Sequence, residues 1–245
     1  MPKIYLSPST QEYNPYDGGG NEEYYMNLVA DSMEPYLVAS GIQFDRNTPD
    51  MTAASSIKAS NSGKYDLHIA LHSNATASGE GNVRGSDVYY YPTSAKGKML
   101  ADIISENLQT IYPLPDKVKT VPTTSIGEVR RTKAPSTLIE FAYHDNPYDA
   151  DWIRNNIDEI AQNTVFSITE YLGVPFNYPQ EIRTGTINTP QGGNVNIRYN
   201  PSTSSAVVGS IPNGAEITVY NVGENWDVVG YGDIVGYVYN KYIII

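Results

Sequence analysis

Residues Tyr65-Asp66-Leu67-His68-Ile69-Ala70-Leu71-His72-Ser73-Asn74-Ala75 read as one buried strand. Its apolar run is almost unbroken, it delivers a histidine at its C-terminal end, and it then gives way to small polar residues where a loop should begin. In an open α/β sheet that end is where ligands and chemistry gather. Strand residues alternate between faces, so His68 and His72 point the same way, and four residues of strand hold them roughly 13 Å apart. They cannot share one metal ion. His72, at the mouth, is the candidate ligand, and His68, deeper in, is read as a hydrogen-bonded core residue.

Segments on either side repeat a strand and helix alternation. Lys3 to Ser7 is a short strand ended by Pro8. After the Gly18 to Gly20 cluster a helix begins at Asn21 or Glu22, with Met26, Val29, Ala30, Met33 and Leu37 on one face. Projected back one turn, that face includes Glu22, whereas Glu23 joins Asn27, Asp31 and Glu34 on the solvated side. A carboxylate on a buried stripe is costly unless it is paired, protonated or metal-bound. Further strands are read at Gly41 to Arg46, Gly85 to Pro92 and Ser136 to Ala142. Asp50 is the expected cap of a helix over Met51 to Ser60. Met99 to Ile111 forms another helix, and Ile153, Ile157, Ile160, Ala161, Val165, Ile168 and Leu172 share the face of a last one, stopped at Gly173. This order predicts an α/β fold, a mainly parallel doubly wound sheet with helices on both faces.

Residues 175–184 contain Pro175 and Pro179 without periodicity and read as a linker. Beyond it, short strands alternate with Asn-Pro, Pro-Asn-Gly and Tyr-Gly-Asp turns, which predicts a small all-β barrel over 185–245, separate from the first domain at 1–174.

The chain of 245 residues has a formal net charge of −11, which argues against nucleic acid as a partner. Residues 1–180 carry 22 acids against 13 bases, and residues 181–245 five against three, so the acidity belongs mainly to the first domain. Without cysteine, disulfides and thiolate metal sites are excluded, and any metal must sit on histidine and carboxylate. No signal peptide of the Sec type is read at Met1 to Leu6, and no run is long enough for a transmembrane segment. Twenty-one tyrosines against four phenylalanines suit half-buried sheet positions, and also surfaces that contact sugars or peptides.

Glu22 at a helix start, His72 at a strand end and Glu140 near the end of another strand can converge at one sheet edge. Two carboxylates with a histidine suit a zinc hydrolase, although a set of buried ion pairs uses the same residues.

The run around His72 resembles the Asp-Leu, apolar, Ser-Ile-His-Ala-Asn-Ala motif of the zinc-dependent N-acetylmuramoyl-L-alanine amidases of the Amidase_3 type. Glu22 with Asn27 and Ala30 is similar to that family's ligand glutamate and first helix. Gly85 to Tyr91 matches the strand after the histidine motif. Glu128-Val129-Arg130 with Ala134-Pro135-Ser136-Thr137-Leu138-Ile139-Glu140-Phe141-Ala142 resembles its arginine, Pro and Leu-Val-Glu-Gly-Phe block, closed by Asn146. The resemblance spans residues 3 to 173. It implies Zn2+ as cofactor, Glu22 and His72 as metal ligands and Glu140 as general base. Arg130 is then either a holder of a substrate carboxylate or carbonyl, or a surface ion-pair residue. The reaction implied is hydrolysis of the amide between N-acetylmuramic acid and L-alanine in peptidoglycan.

One departure stands out. Where the family has Asp-Pro-Gly-His, with its histidine on zinc, this chain has Ser7-Pro8-Ser9-Thr10-Gln11. His144, four residues after Glu140, is expected to restore the third ligand if the strand continues that far. Gln11 is the competing substitute through a neutral oxygen, and loss of the metal is the third outcome.

The C-terminal part resembles bacterial SH3-type domains, in Val195-Asn196-Ile197-Arg198, Asn200-Pro201-Ser202, Pro212-Asn213-Gly214, Trp226 and Gly236-Tyr237-Val238. Such domains commonly bind peptidoglycan, which makes Trp226 and Arg198 candidate wall contacts or else framework residues of the barrel. The whole reads as a peptidoglycan amidase with a wall-binding domain, of the endolysin or autolysin kind, acting at the cell wall after lysis, holin release or non-Sec export. A non-catalytic wall-binding protein and a zinc carboxypeptidase acting on stem peptides remain the alternatives.

Overall fold

The computed structural model describes every residue except Ser78 and Glu80. By internal contacts the chain forms two compact units, one of residues 3–33 and 44–171, the other of residues 1–2, 34–43 and 172–245.

The larger unit is built on a six-stranded sheet. Its strands are β1 (Lys3–Pro8), β2 (Gln43–Arg46), β3 (Leu67–Asn74), β4 (Ser86–Tyr90), β5 (Val118–Pro122) and β6 (Ser136–Tyr143), in the order β2-β1-β3-β6-β4-β5. β3 is the strand anticipated at Leu67, parallel to β1 on one side and to β6 on the other. Every residue from Leu67 to Ser73 is buried. Because successive side chains alternate faces, that burial requires cover on both sides of the sheet. The cover comes from helices α1 (Glu22–Ala39), α2 (Ala53–Ser62), α3 (Ala95–Leu108), α4 (Gly127–Arg130), α5 (Pro147–Asn155) and α6 (Ile157–Leu172). The periodic faces are the buried ones: Met26, Val29, Ala30, Met33 and Leu37 of α1 are all 0% exposed.

The structure corrects several details. β4 runs antiparallel to β6, whereas β1 with β3, β3 with β6 and β4 with β5 pair in parallel, so the sheet is mainly parallel as expected, with one antiparallel pairing. α2 is capped by Thr52, not Asp50, because Thr52 and Ser55 bond each other's backbone N–H in a reciprocal capping box. The single last helix is two, broken at Asn156, with α5 started by Asn146, whose side chain accepts from the N–H groups of Tyr148 and Asp149. β5 and α4 are short elements with too few residues to show a period.

Asp149 ties the far end of this unit together. It is 0% exposed and accepts from Arg84 Nε at 2.7 Å, Tyr112 Oη at 2.8 Å, and the backbone N–H groups of Gly85 and Tyr143. Its removal leaves a guanidinium and three donors short of their acceptor. Asp149→Ala is therefore expected to destabilise folding by roughly 3 kcal/mol, read as a lower urea midpoint; a variant unfolding at the parent's midpoint would refute this role.

The C-terminal strands β7 (Arg183–Ile187), β8 (Val195–Arg198), β9 (Val207–Ile211), β10 (Glu216–Asn221), β11 (Trp226–Tyr231), β12 (Ile234–Tyr239) and β13 (Ile243–Ile244) form a second sheet, ordered β13-β7-β10-β11-β12-β8-β9 and antiparallel throughout. β7 starts at Arg183, inside the segment read as linker. Alternate residues Ile187, Val195, Ile197, Ile211, Ile217, Val219, Val229 and Val238 make its core. Among the described residues no helix is long and apolar enough to cross a membrane.

Candidate active site

The site forms where β1, β3 and β6 end together. Parallel pairing places Pro8 beside Leu71 and His72 beside Glu140, which sets the mouth of all three strands at one level. β1 then leaves the sheet as a loop that returns at α1. Gly18, Gly19 and Gly20, all with φ between +79° and +107°, make the reversal that only glycine adopts without strain. That reversal brings the Glu22 N–H onto the Asn14 carbonyl at 3.0 Å and leaves the Glu22 side chain 1% exposed.

Glu22 meets His72 as the spacing of the two motifs anticipates. Glu22 Oε1 lies 2.7 Å from His72 Nδ1, while Asn14 Nδ2 donates to Oε2 at 2.6 Å. Gln11 joins them, its side-chain amide 3.3 Å from His72 Nδ1. The opposite ring nitrogen, Nε2, faces Glu128 Oε2 at 3.4 Å. Burial opposes charge on the His72 ring, but the flanking carboxylates of Glu128 and Glu22 outweigh it and hold its pKa well above the ordinary value. Burial likewise works against the Glu22 carboxylate, and the bond to His72 overrides it, so this group titrates below its usual range.

Glu140 is different. It is partly buried, its Oε2 is shielded from solvent and has no hydrogen-bond partner among the described residues, and burial pushes its pKa up to about 7 against the opposing pull of His72, with Glu22, Asp87 and Glu128 adding to the rise. A carboxyl group poised near neutrality with a free oxygen can take and return a proton.

Two expected residues are placed elsewhere. The strand ends at Tyr143, and a register shift between His72 and Asn74 breaks the alternation that would have aimed His144 with Glu140. His144 sits in the following turn, its Nδ1 at 2.9 Å from the Ser73 carbonyl oxygen and its ring stacked on Tyr16, 3% exposed. Arg130 ends α4 with an exposed side chain. Two residues span about 200° of a helical turn, so turning Glu128 inward turns Arg130 outward. Glu128 is the residue that sequence reasoning missed. It stands two positions before Arg130 in the same motif, but on a four-residue helix no period marks it as buried.

Among the described residues no three His, Cys, Asp or Glu side chains form a metal-holding group. Gln11 lies outside that set; its side-chain amide is 3.3 Å from His72 Nδ1 and can present either its nitrogen or its oxygen there. Hydrogen-bond accounting shows why a cation fits. Carboxylates only accept, so the His72 Nε2 facing Glu128 must carry a proton. The Nδ1 facing Glu22 at 2.7 Å then needs something electropositive between the two atoms, either a second proton or a metal ion. Glu140, paired in register with His72, has its Oε2 without a hydrogen-bond partner among the described residues.

Residues 10–170 match the sequence model described as N-acetylmuramoyl-L-alanine amidase. The chain belongs to this family. Residues 193–244 match the bacterial SH3 domain. No curated protein matches the chain. Solved amidases share the amidase fold at low identity. AmiC2 of Nostoc punctiforme is 18% identical with a TM-score of 0.62, over 70% of this chain and 97% of that one. The catalytic domain of CwlV from Bacillus (Paenibacillus) polymyxa var. colistinus is 17% identical at 0.62, over 71% and 100%. The catalytic domain of the CD27L endolysin targeting Clostridia difficile is 24% identical at 0.57, over 69% and 98%.

Proposed function

We propose that this amidase hydrolyses the amide between N-acetylmuramic acid and L-alanine in peptidoglycan, with a zinc ion held by Glu22, His72 Nδ1 and the Gln11 amide oxygen. The observation that carries the reading is the convergence of Glu22 and Gln11 on one nitrogen of His72, with Glu140 Oε2 left unpartnered beside them. Zinc, when bound, supplies Lewis acidity toward water and the scissile carbonyl. Glu140 takes the proton of the attacking water on Oε2 and returns it to the departing amine of L-alanine. Asn14 holds Glu22 in place through Oε2 and leaves Oε1 for the metal. A cleft of 330 Å³ opens beside Gln11 and His72, lined also by Ser9, Thr10, Tyr13 and Glu128.

The C-terminal domain holds the enzyme on the wall. Trp226 and Tyr239 meet in a tilted ring pair, centroids 5.4 Å apart, beside a 640 Å³ cleft that also presents Asn196, Arg198, Lys241 and Tyr242, aromatic faces and donors suited to glycan and peptide groups.

A second reading, wall binding without hydrolysis, is favoured by the missing third histidine or carboxylate. Purified protein on isolated cell walls separates the two. New N-terminal alanine without new reducing sugar, abolished by chelator and restored by zinc, is the expected result. No release even with added zinc would sink the enzymatic reading.

A further inference from the structure

The two histidines of β3 are joined through one carboxylate. Glu128, 4% exposed, places Oε1 at 3.3 Å from His68 Nε2 and Oε2 at 3.4 Å from His72 Nε2. Ser7 Oγ donates to Glu128 Oε1, and since it has a single proton, Ser56 Oγ at 2.6 Å donates to Ser7. Ser60 Oγ lies 3.0 Å from His68 Nδ1, and Tyr5 stacks on the His68 ring. The polar side-chain atoms of Ser7, His68 and Glu128 are therefore all satisfied, and the buried chain they form terminates on His72. A solvated surface pair would not need such support.

A histidine that ligates a metal depends on what its other nitrogen does, since that bond fixes both the tautomer and the ring plane. We infer that Glu128 is a positioning residue of the proposed centre: with Ser7 and His68 it keeps the proton of His72 on Nε2 and commits Nδ1 to the side of Glu22 and Gln11. The inference rests on the metal reading above for its purpose. Its geometry rests on hydrogen bonds that exist without metal. His68 thereby acquires a role as well, because without it Glu128 Oε1 keeps only Ser7 and the carboxylate is free to turn away from His72.

The test uses the full chain with ring-labelled histidine. In metal-free protein the His72 Nε2–H proton should be slow to exchange, and it should lose that protection in Glu128→Leu. In Glu128→Gln, whose neutral amide cannot serve both rings, zinc affinity by chelator competition should fall roughly ten- to a hundredfold, with far-UV circular dichroism as in the parent. His68→Asn should show a smaller loss in the same direction. An unprotected His72 Nε2–H in the parent would overturn the inference, as would zinc affinity within twofold of the parent in Glu128→Gln. If the parent binds no zinc, the metal reading fails by itself, and the metal-free proton measurement still decides whether Glu128 fixes the ring.

Discussion

Glu140→Gln is expected to lower the release of N-terminal alanine from cell walls by roughly 10²–10⁴-fold, the ordinary worth of a positioned general base. The substitution keeps size and shape but removes the group that accepts a proton. Stability should change little, because Glu140 Oε2 makes no hydrogen bond whose loss would leave a buried partner unpaired. The reason for choosing this residue over Glu22 or Glu128 is electrostatic. Glu22 is held as an anion by His72, and Glu128 by His68 together with His72, whereas burial leaves Glu140 near neutrality with its pKa pushed up to about 7. A base already committed to an ion pair cannot relay a proton efficiently. Zinc affinity and sedimentation with cell walls should stay at the parent's level in the variant. Retained hydrolysis within tenfold of the parent would remove Glu140 from the role.

The parts of this site that the sequence made legible are those carried by regular periods. His72 follows from seven buried residues of β3, and Glu22 from the apolar face of α1 projected back one turn. Both deductions use geometry fixed by the backbone, so side-chain direction follows from spacing. Glu140 follows in the same way from β6, which pairs with β3 in the register that sets it opposite His72. The failures fall where that regularity stops. His144 lies one residue past the end of β6, after a register shift, so counting by twos does not give its direction. Gln11, named from the sequence as the competing third ligand, lies in the loop between β1 and α1, where no period gives its direction. Glu128 belongs to a single helical turn, too short to show a face. The antiparallel β4 could not be inferred either, since a buried strand has the same composition in both directions.

Metal content should separate the two competing third ligands. Gln11→Ala is expected to lose most bound zinc after dialysis and to lose hydrolysis with it, while His144→Ala keeps the zinc stoichiometry of the parent. The difference follows from where the two side chains are held. Gln11 has its amide 3.3 Å from His72 Nδ1 in a loop that also carries Asn14, the partner of Glu22, so its removal empties one corner of the donor set. His144 spends Nδ1 on the Ser73 carbonyl and its ring face on Tyr16, so its loss costs packing and leaves the donors untouched. Its truncation leaves a cavity and an unpaired carbonyl, a stability cost of about 2 kcal/mol that thermal unfolding would register without a change in metal. Gln11→His provides the converse. An imidazole is a stronger donor to zinc than a neutral amide oxygen, so this variant should bind zinc more tightly than the parent, and chelator competition measures it directly. Zinc lost from His144→Ala and retained in Gln11→Ala would reverse the assignment, and would require the turn after β6 to swing His144 out of its stack on Tyr16 when metal binds.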